Sequence, residues 1–125
     1  MKFREFVLSS GRKIFLGRNS ENNDDLVSNS KRTEILLHTS TPGSPFCNVG
    51  ENPTKDEIKE AGIICAKFSQ NWRDNKNDVV VDIFLRADTY KDLKMKSGTW
   101  GVRKKESVKV KKEDILKVER EMKKI

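Results

Sequence analysis

The chain has 125 residues, 36% of them charged and 34% hydrophobic, with a formal net charge of +7. That length accommodates one domain, and no apolar run approaches the roughly 20 residues that span a bilayer, so an integral helical membrane protein is excluded. Met1-Lys2-Phe3-Arg4-Glu5 lacks the apolar core of a signal peptide, and a cytoplasmic location without membrane contact is expected.

Phe3 to Ser9 alternates as a strand, Ser9-Ser10-Gly11 is a turn signal, and Lys13 to Gly17 is a second strand, predicting a hairpin. Asn19 or Ser20 caps a short helix over Glu21 to Asn29. Glu34 to Thr39 and Phe46 to Val49 are the third and fourth strands, separated by the turn Thr41-Pro42-Gly43-Ser44. Thr54-Lys55-Asp56-Glu57 forms a capping box. Ile58, Ala61, Cys65, Phe68 and Trp72 then recur at helical spacing, predicting one helix that ends at Asn75-Lys76-Asn77. The β-branched run Val79 to Leu85 suits a central strand.

Thr89 to Ser97 is polar and is expected to be an irregular connection, and Thr99–Arg103 with Ser107–Val110 is expected to form a final hairpin. A last helix covers Glu113 to Ile125, with Ile115, Val118, Met122 and Ile125 in a narrow apolar seam. The seam either docks on the body or makes a dimer contact. The order β-β-α-β-β-α-β-β-β-α predicts a single α+β domain over residues 1–125: a mainly antiparallel sheet of about six strands with two or three packed helices.

The charge is unevenly placed. Residues 1–85 hold 12 basic and 12 acidic side chains, net zero; residues 86–125 hold 14 and 7, net +7. A polarised basic segment favours an anionic partner, although a solvated lysine-rich face has the same composition. Cys47 and Cys65 form no CxxC motif and fit buried free thiols. No metal spacing is present around the single histidine, and no metal or cofactor is expected. His38 lacks a legible nucleophile and orienting group, so catalysis is not expected. The adjacent Asp24 and Asp25 point about 100° apart on a helix and make a weak acid/base pair.

Three features fit anion or base recognition. Gly17-Arg18-Asn19 joins a strand to a helix start, where free amides and a guanidinium suit phosphate; a plain strand-to-helix turn would look the same. Gly98-Thr99-Trp100-Gly101 sets an aromatic between glycines ahead of Arg103, Lys104 and Lys105. Trp100 either stacks on an unpaired base or packs in the core while the glycines relieve crowding. Alternation puts Ser107, Lys109 and Lys111 opposite Val108 and Val110, a basic outer face over an apolar inner one.

Taken in order, these pieces resemble the NFACT-R domain, the RNA-binding module of the NFACT family. That family includes bacterial fibronectin-binding-protein-A-like proteins and eukaryotic ribosome-quality-control factors that recruit tRNA to stalled large subunits. The run is Gly17-Arg18-Asn19, then Asn23-Asp24-x-Leu26, then Glu34 four residues before His38, then Pro42-Gly43-Ser44. The helix around Ala61 to Ala66, the Val79–Leu85 strand and the Gly98/Gly101 pair before a basic strand complete it. Leu36 replaces a tryptophan frequent in the family, Pro45 replaces a histidine, and the large N-terminal domain and coiled coil are missing, so a stand-alone version is expected.

The resemblance implies a non-enzymatic module that binds structured RNA, tRNA or ribosomal RNA, in a ribosome-associated, translation quality-control role. The large ribosomal subunit is a possible partner. Arg18, Asn19, His38 and Ser44 would form one polar contact region. Lys94, Lys96, Arg103, Lys104, Lys105, Lys109 and Lys111 would contact phosphates, with Trp100 stacking or packing. The alternative is a DNA-binding or protein-docking adaptor using the basic C-terminal region. An enzyme acting on RNA or nucleotide through His38 is the third reading.

Overall fold

Alternation and turn chemistry account for the first hairpin. In the computed structural model, which describes residues 2–123, β1 (Arg4–Val7) and β2 (Lys13–Leu16) pair antiparallel with Phe6 opposite Ile14. Gly11 takes φ 93° at the turn, a conformation costly for any residue with a Cβ. A helix α1 (Ser20–Asn29) follows, then β3 (Glu34–Thr39) and β4 (Cys47–Glu51).

The capping box is present at the start of α2 (Lys55–Lys67): the Thr54 hydroxyl accepts from the Glu57 amide and the Glu57 carboxylate accepts from the Thr54 amide. Hydrogen bonds from the Ser10 hydroxyl and the Thr54 amide, with Arg12 adding attraction, hold the Glu57 carboxyl down to about 2. The helix expected to run on to Trp72 is broken. The apolar stripe continues through Phe68, but Ser69 accepts from the Trp72 amide and caps a separate short helix, α3 (Gln70–Asn75). Lys76 closes α3 in the left-handed region, at φ 49°.

The central strand β5 (Val79–Leu85) leads into a 3₁₀ turn at Arg86–Asp88. The expected final hairpin is not formed. Gly101–Val102 (β7) pairs with Thr89–Tyr90 (β6), inside the segment expected to be irregular, while β8 (Glu106–Val110) pairs with β5. Tyr90 explains the choice: its ring lies over Gly101, where an added Cβ would come within 2.1 Å of it. The last helix is α4 (Lys112–Lys123).

The large sheet has the order β1-β2-β4-β3-β5-β8 and all its pairings are antiparallel, so the α+β expectation and the strand number hold. Period two divides its side chains between two cores. Ile14, Leu16, Leu37, Cys47, Val49, Val79, Val81 and Val110 pack with α2, Trp72 and Ile115 of α4. Leu36, Phe46 and Phe84 pack on the other face with Leu26 and Val27 of α1, bordered by Trp100 and Val102. The α4 seam is used within the chain: Ile115 is fully buried, Met122 packs against the first core, and Glu119 accepts from the Trp72 indole at 2.9 Å. Ile125 of the seam lies outside the described residues. Both cysteines are buried free thiols, and burial pushes both pKa values up, Cys65 to about 12. None of the described helices is long and apolar enough to cross a membrane.

Candidate nucleic-acid interface

One end of the sheet, where β2 and β3 finish and β4 and β5 begin, borders a cleft of about 620 Å³. Its first wall is the Gly17-Arg18-Asn19 turn. Gly17 leaves room for Asn23, whose amide oxygen would lie 1.8 Å from a Cβ at that position. That oxygen accepts from the Phe46 amide at 3.0 Å, and Gly17 donates to the Phe46 carbonyl. Asn19 caps α1 by accepting from the Asn22 amide, and the Arg18 amide donates to Asn22 Oδ1. The motif thus pins a helix start to the 40–46 loop and leaves the Arg18 side chain exposed beside the cleft.

The second wall is that loop. The buried Ser44 hydroxyl accepts from the Thr39 amide at 3.1 Å. The His38 ring packs on Phe46 at 4.3 Å between centroids, and its Nδ1 donates to the Thr39 carbonyl at 2.7 Å. Burial holds the His38 pKa below the usual histidine range, outweighing backbone hydrogen bonding to Thr39 and Ser44 and the attraction of Asp82. A histidine depressed in the folded state favours unfolding when it is protonated. Its stabilising contribution is therefore complete above the unfolded value near 6.5 and declines as pH falls through it, down to the folded pKa. The urea midpoint should drop between about pH 7.5 and about pH 5.5, and His38→Gln should flatten that drop.

Asp82 lies on the cleft surface, 7% exposed, and accepts from the hydroxyls of Ser40 at 2.6 Å and Ser107 at 2.7 Å and from the Lys105 ammonium at 2.9 Å. Burial pushes its carboxyl upward, but these three donors outweigh it and keep the group ionised below the ordinary range. Lys105 is thereby held at the cleft with its charge compensated.

The third wall is the 97–102 segment, and Asp24 fastens it. Its carboxylate accepts from the Gly98 amide at 2.9 Å, the Ser97 hydroxyl and the Trp100 indole at 3.0 Å, and the Lys91 ammonium at 3.1 Å. Burial alone would raise the Asp24 pKa; these bonds outweigh it and lower it. A Cβ on Gly98 would meet Ser20 at 3.0 Å, so the glycine permits the close approach to α1. The Trp100 ring is half-buried against the second core, with Arg86 at 5.2 Å and Lys91 at 5.4 Å from its centroid.

The sequence matches the family model of the NFACT protein RNA binding domain over residues 2–104. The chain belongs to that family. A solved structure of the C-terminal part of the fibronectin/fibrinogen-binding protein from Streptococcus suis shares the fold, with a TM-score of 0.81 at 24% identity. The alignment covers 94% of this chain and 49% of that one, so the chain spans about half of that solved chain. No curated protein matches the sequence.

Within this NFACT RNA-binding domain the cleft gathers Arg18, Asn19, His38, Ser44, Trp100 and Lys105. It does not gather Lys94, Lys96, Arg103, Lys104, Lys109 or Lys111, which are exposed elsewhere on the surface. Arg103 lies over the Tyr90 ring at 4.5 Å, and the Lys96 carbonyl accepts from Lys91. Ser107 and Lys109 do share a face opposite Val110, as alternation requires; Val108 on that inner face is 40% exposed. Asn19 and Ser44 are structural first, a helix cap and a loop brace. Sequence reading missed Arg4 and Arg73, which reach the cleft from β1 and α3. Arg4 lies over the Phe68 ring at 4.7 Å, and Arg73 donates to the Phe68 carbonyl at 3.1 Å. Neither sits in a motif or a basic run.

Proposed function

We propose that this domain binds structured RNA, tRNA or ribosomal RNA, through the basic cleft, in a ribosome-associated role and with no reaction of its own. One observation carries the reading. Arg4, Arg18 and Arg73 are exposed around an aromatic-lined cleft and, among the described residues, none is ion-paired to a carboxylate. The acids nearest to the cleft are committed to structural bonds, Asp82 to Lys105 and Asp24 to the Trp100 segment. Guanidiniums whose charge is uncompensated at such a site suit phosphate oxygens, which accept paired hydrogen bonds from the planar fork.

The exposed lysines of the last 40 residues add to the long-range attraction. The alternative, a DNA-binding or protein-docking adaptor using the basic C-terminal region with α4 as its contact, has less behind it: the apolar seam of α4 is spent on the chain's own core, and only its charged face is left for a partner. The test is fluorescence anisotropy on tRNA, a ribosomal RNA fragment and duplex DNA. Binding to one of the RNAs should fall by about 10³ or more between 50 and 200 mM salt if six or so phosphates are contacted. Equal affinity for duplex DNA would overturn the RNA preference.

A further inference from the structure

The cleft combines two chemistries that few ligands present together. Its accessible aromatic surface is the half-buried Trp100 ring, held by Asp24 beside the buried Phe46 and Phe84, with the half-buried Phe68 near Arg4 and Arg73. Its margin carries three arginines with no carboxylate partner among the described residues. A phosphate alone needs donors and no rings. A paired helix presents phosphates and keeps its base faces stacked inside, and the deep groove of A-form RNA admits no side chains. An unpaired nucleotide presents both, a flat π-face and an adjoining charged backbone.

Size points the same way. At about 620 Å³ the cleft matches the roughly 300–1,000 Å³ of small-molecule sites, and it is open enough to solvent to admit a base still joined to its strand. Its polar interior atoms are mixed. Asp82 is taken up by Ser40, Ser107 and Lys105, but the Lys105 ammonium that it holds at 2.9 Å keeps further N–H donors for the acceptors of a base edge.

We infer that the cleft receives the base of one unpaired nucleotide, with Trp100 bordering the base and Arg4, Arg18 and Arg73 on the flanking phosphates. This rests on the RNA-binding reading above and narrows it: the recognised element is a bulge, loop or overhang, not continuous duplex. The lysines outside the cleft then serve neighbouring backbone without selecting it.

The experiment compares a blunt RNA duplex with the same duplex carrying one bulged 2-aminopurine, and includes a single-stranded RNA of the same sequence. The bulged duplex should bind about tenfold more tightly than the blunt one, the worth of one base–aromatic stack. The 2-aminopurine emission should change on binding. Trp100→Phe, which keeps a ring, should retain most of that change, and Trp100→Leu should lose it while the far-ultraviolet circular dichroism stays as in the wild type. Equal affinity for blunt and bulged duplexes with unchanged emission overturns the inference and leaves RNA binding intact. Failure of all three RNAs to bind overturns the RNA-binding reading itself.

Discussion

Replacing Arg4, Arg18 and Arg73 together by alanine should lower RNA affinity by about 100-fold at low salt. The salt dependence should flatten by roughly two units of log–log slope, near 0.7–0.9 for each phosphate no longer neutralised. These three side chains come from β1, the β2–α1 turn and α3, and converge on one cleft. All three are exposed, so the fold should survive, with stability changed by little more than about 0.5 kcal/mol per site. The Lys109→Ala/Lys111→Ala pair, outside the cleft, should weaken every RNA alike and by less. A triple variant that binds like the wild type would exclude the cleft as the binding surface and leave the C-terminal lysines as the remaining basic surface.

The second large effect is expected at Asp24. Asp24→Ala removes the acceptor shared by the Gly98 amide, the Ser97 hydroxyl, the Trp100 indole and the Lys91 ammonium. Hydrogen bonds to a charged group are worth about 1.5–3 kcal/mol each when buried. Asp24 is 28% exposed at its side chain, and water replaces part of what is removed. A net cost of about 2 kcal/mol in urea unfolding is expected, with RNA affinity down about tenfold as Trp100 leaves its place. Asp24→Asn keeps an acceptor oxygen and should fall between wild type and alanine. Wild-type stability in Asp24→Ala would show that the 97–102 segment is held by its glycine contacts alone.

Asp24 also shows where sequence reading stopped. Its neighbour Asp25 suggested an acid/base pair, whereas its partners lie 67 to 76 positions away and have no local signature. Local chemistry was legible wherever bonds close within a few residues: the Thr54 capping box, the Asn19 cap and the turn at Gly11. The α2 boundary was missed because the apolar stripe runs unbroken from Ile58 to Trp72, while the stop is a single serine hydroxyl on the Trp72 amide. The β6–β7 pair was missed because two-residue strands carry no period, and its determinant is a ring lying over Gly101.

Charge counting and the cleft single out different parts of the chain. Residues 1–85 sum to zero, yet they supply all three arginines of the cleft margin. Several acids that cancel them on paper are held elsewhere, Glu57 by Ser10 and Arg12 and Glu60 by the Ser9 amide. The family resemblance placed Arg18, Asn19, His38 and Ser44 together, and the fold does bring them to one cleft. The charge count and the strand alternation pointed to C-terminal lysines, of which Lys105 alone lines the cleft.

Whether this domain holds RNA by phosphate contacts at the cleft is decided most directly by one comparison. It is the affinity of the wild type and the Arg4/Arg18/Arg73 variant for tRNA and ribosomal RNA across 50 to 200 mM salt. A steep linear fall is expected for the wild type, about 10³ or more over that range, with a shallower line for the variant. A salt-independent wild-type affinity, or two lines of equal slope, would contradict phosphate binding at the cleft.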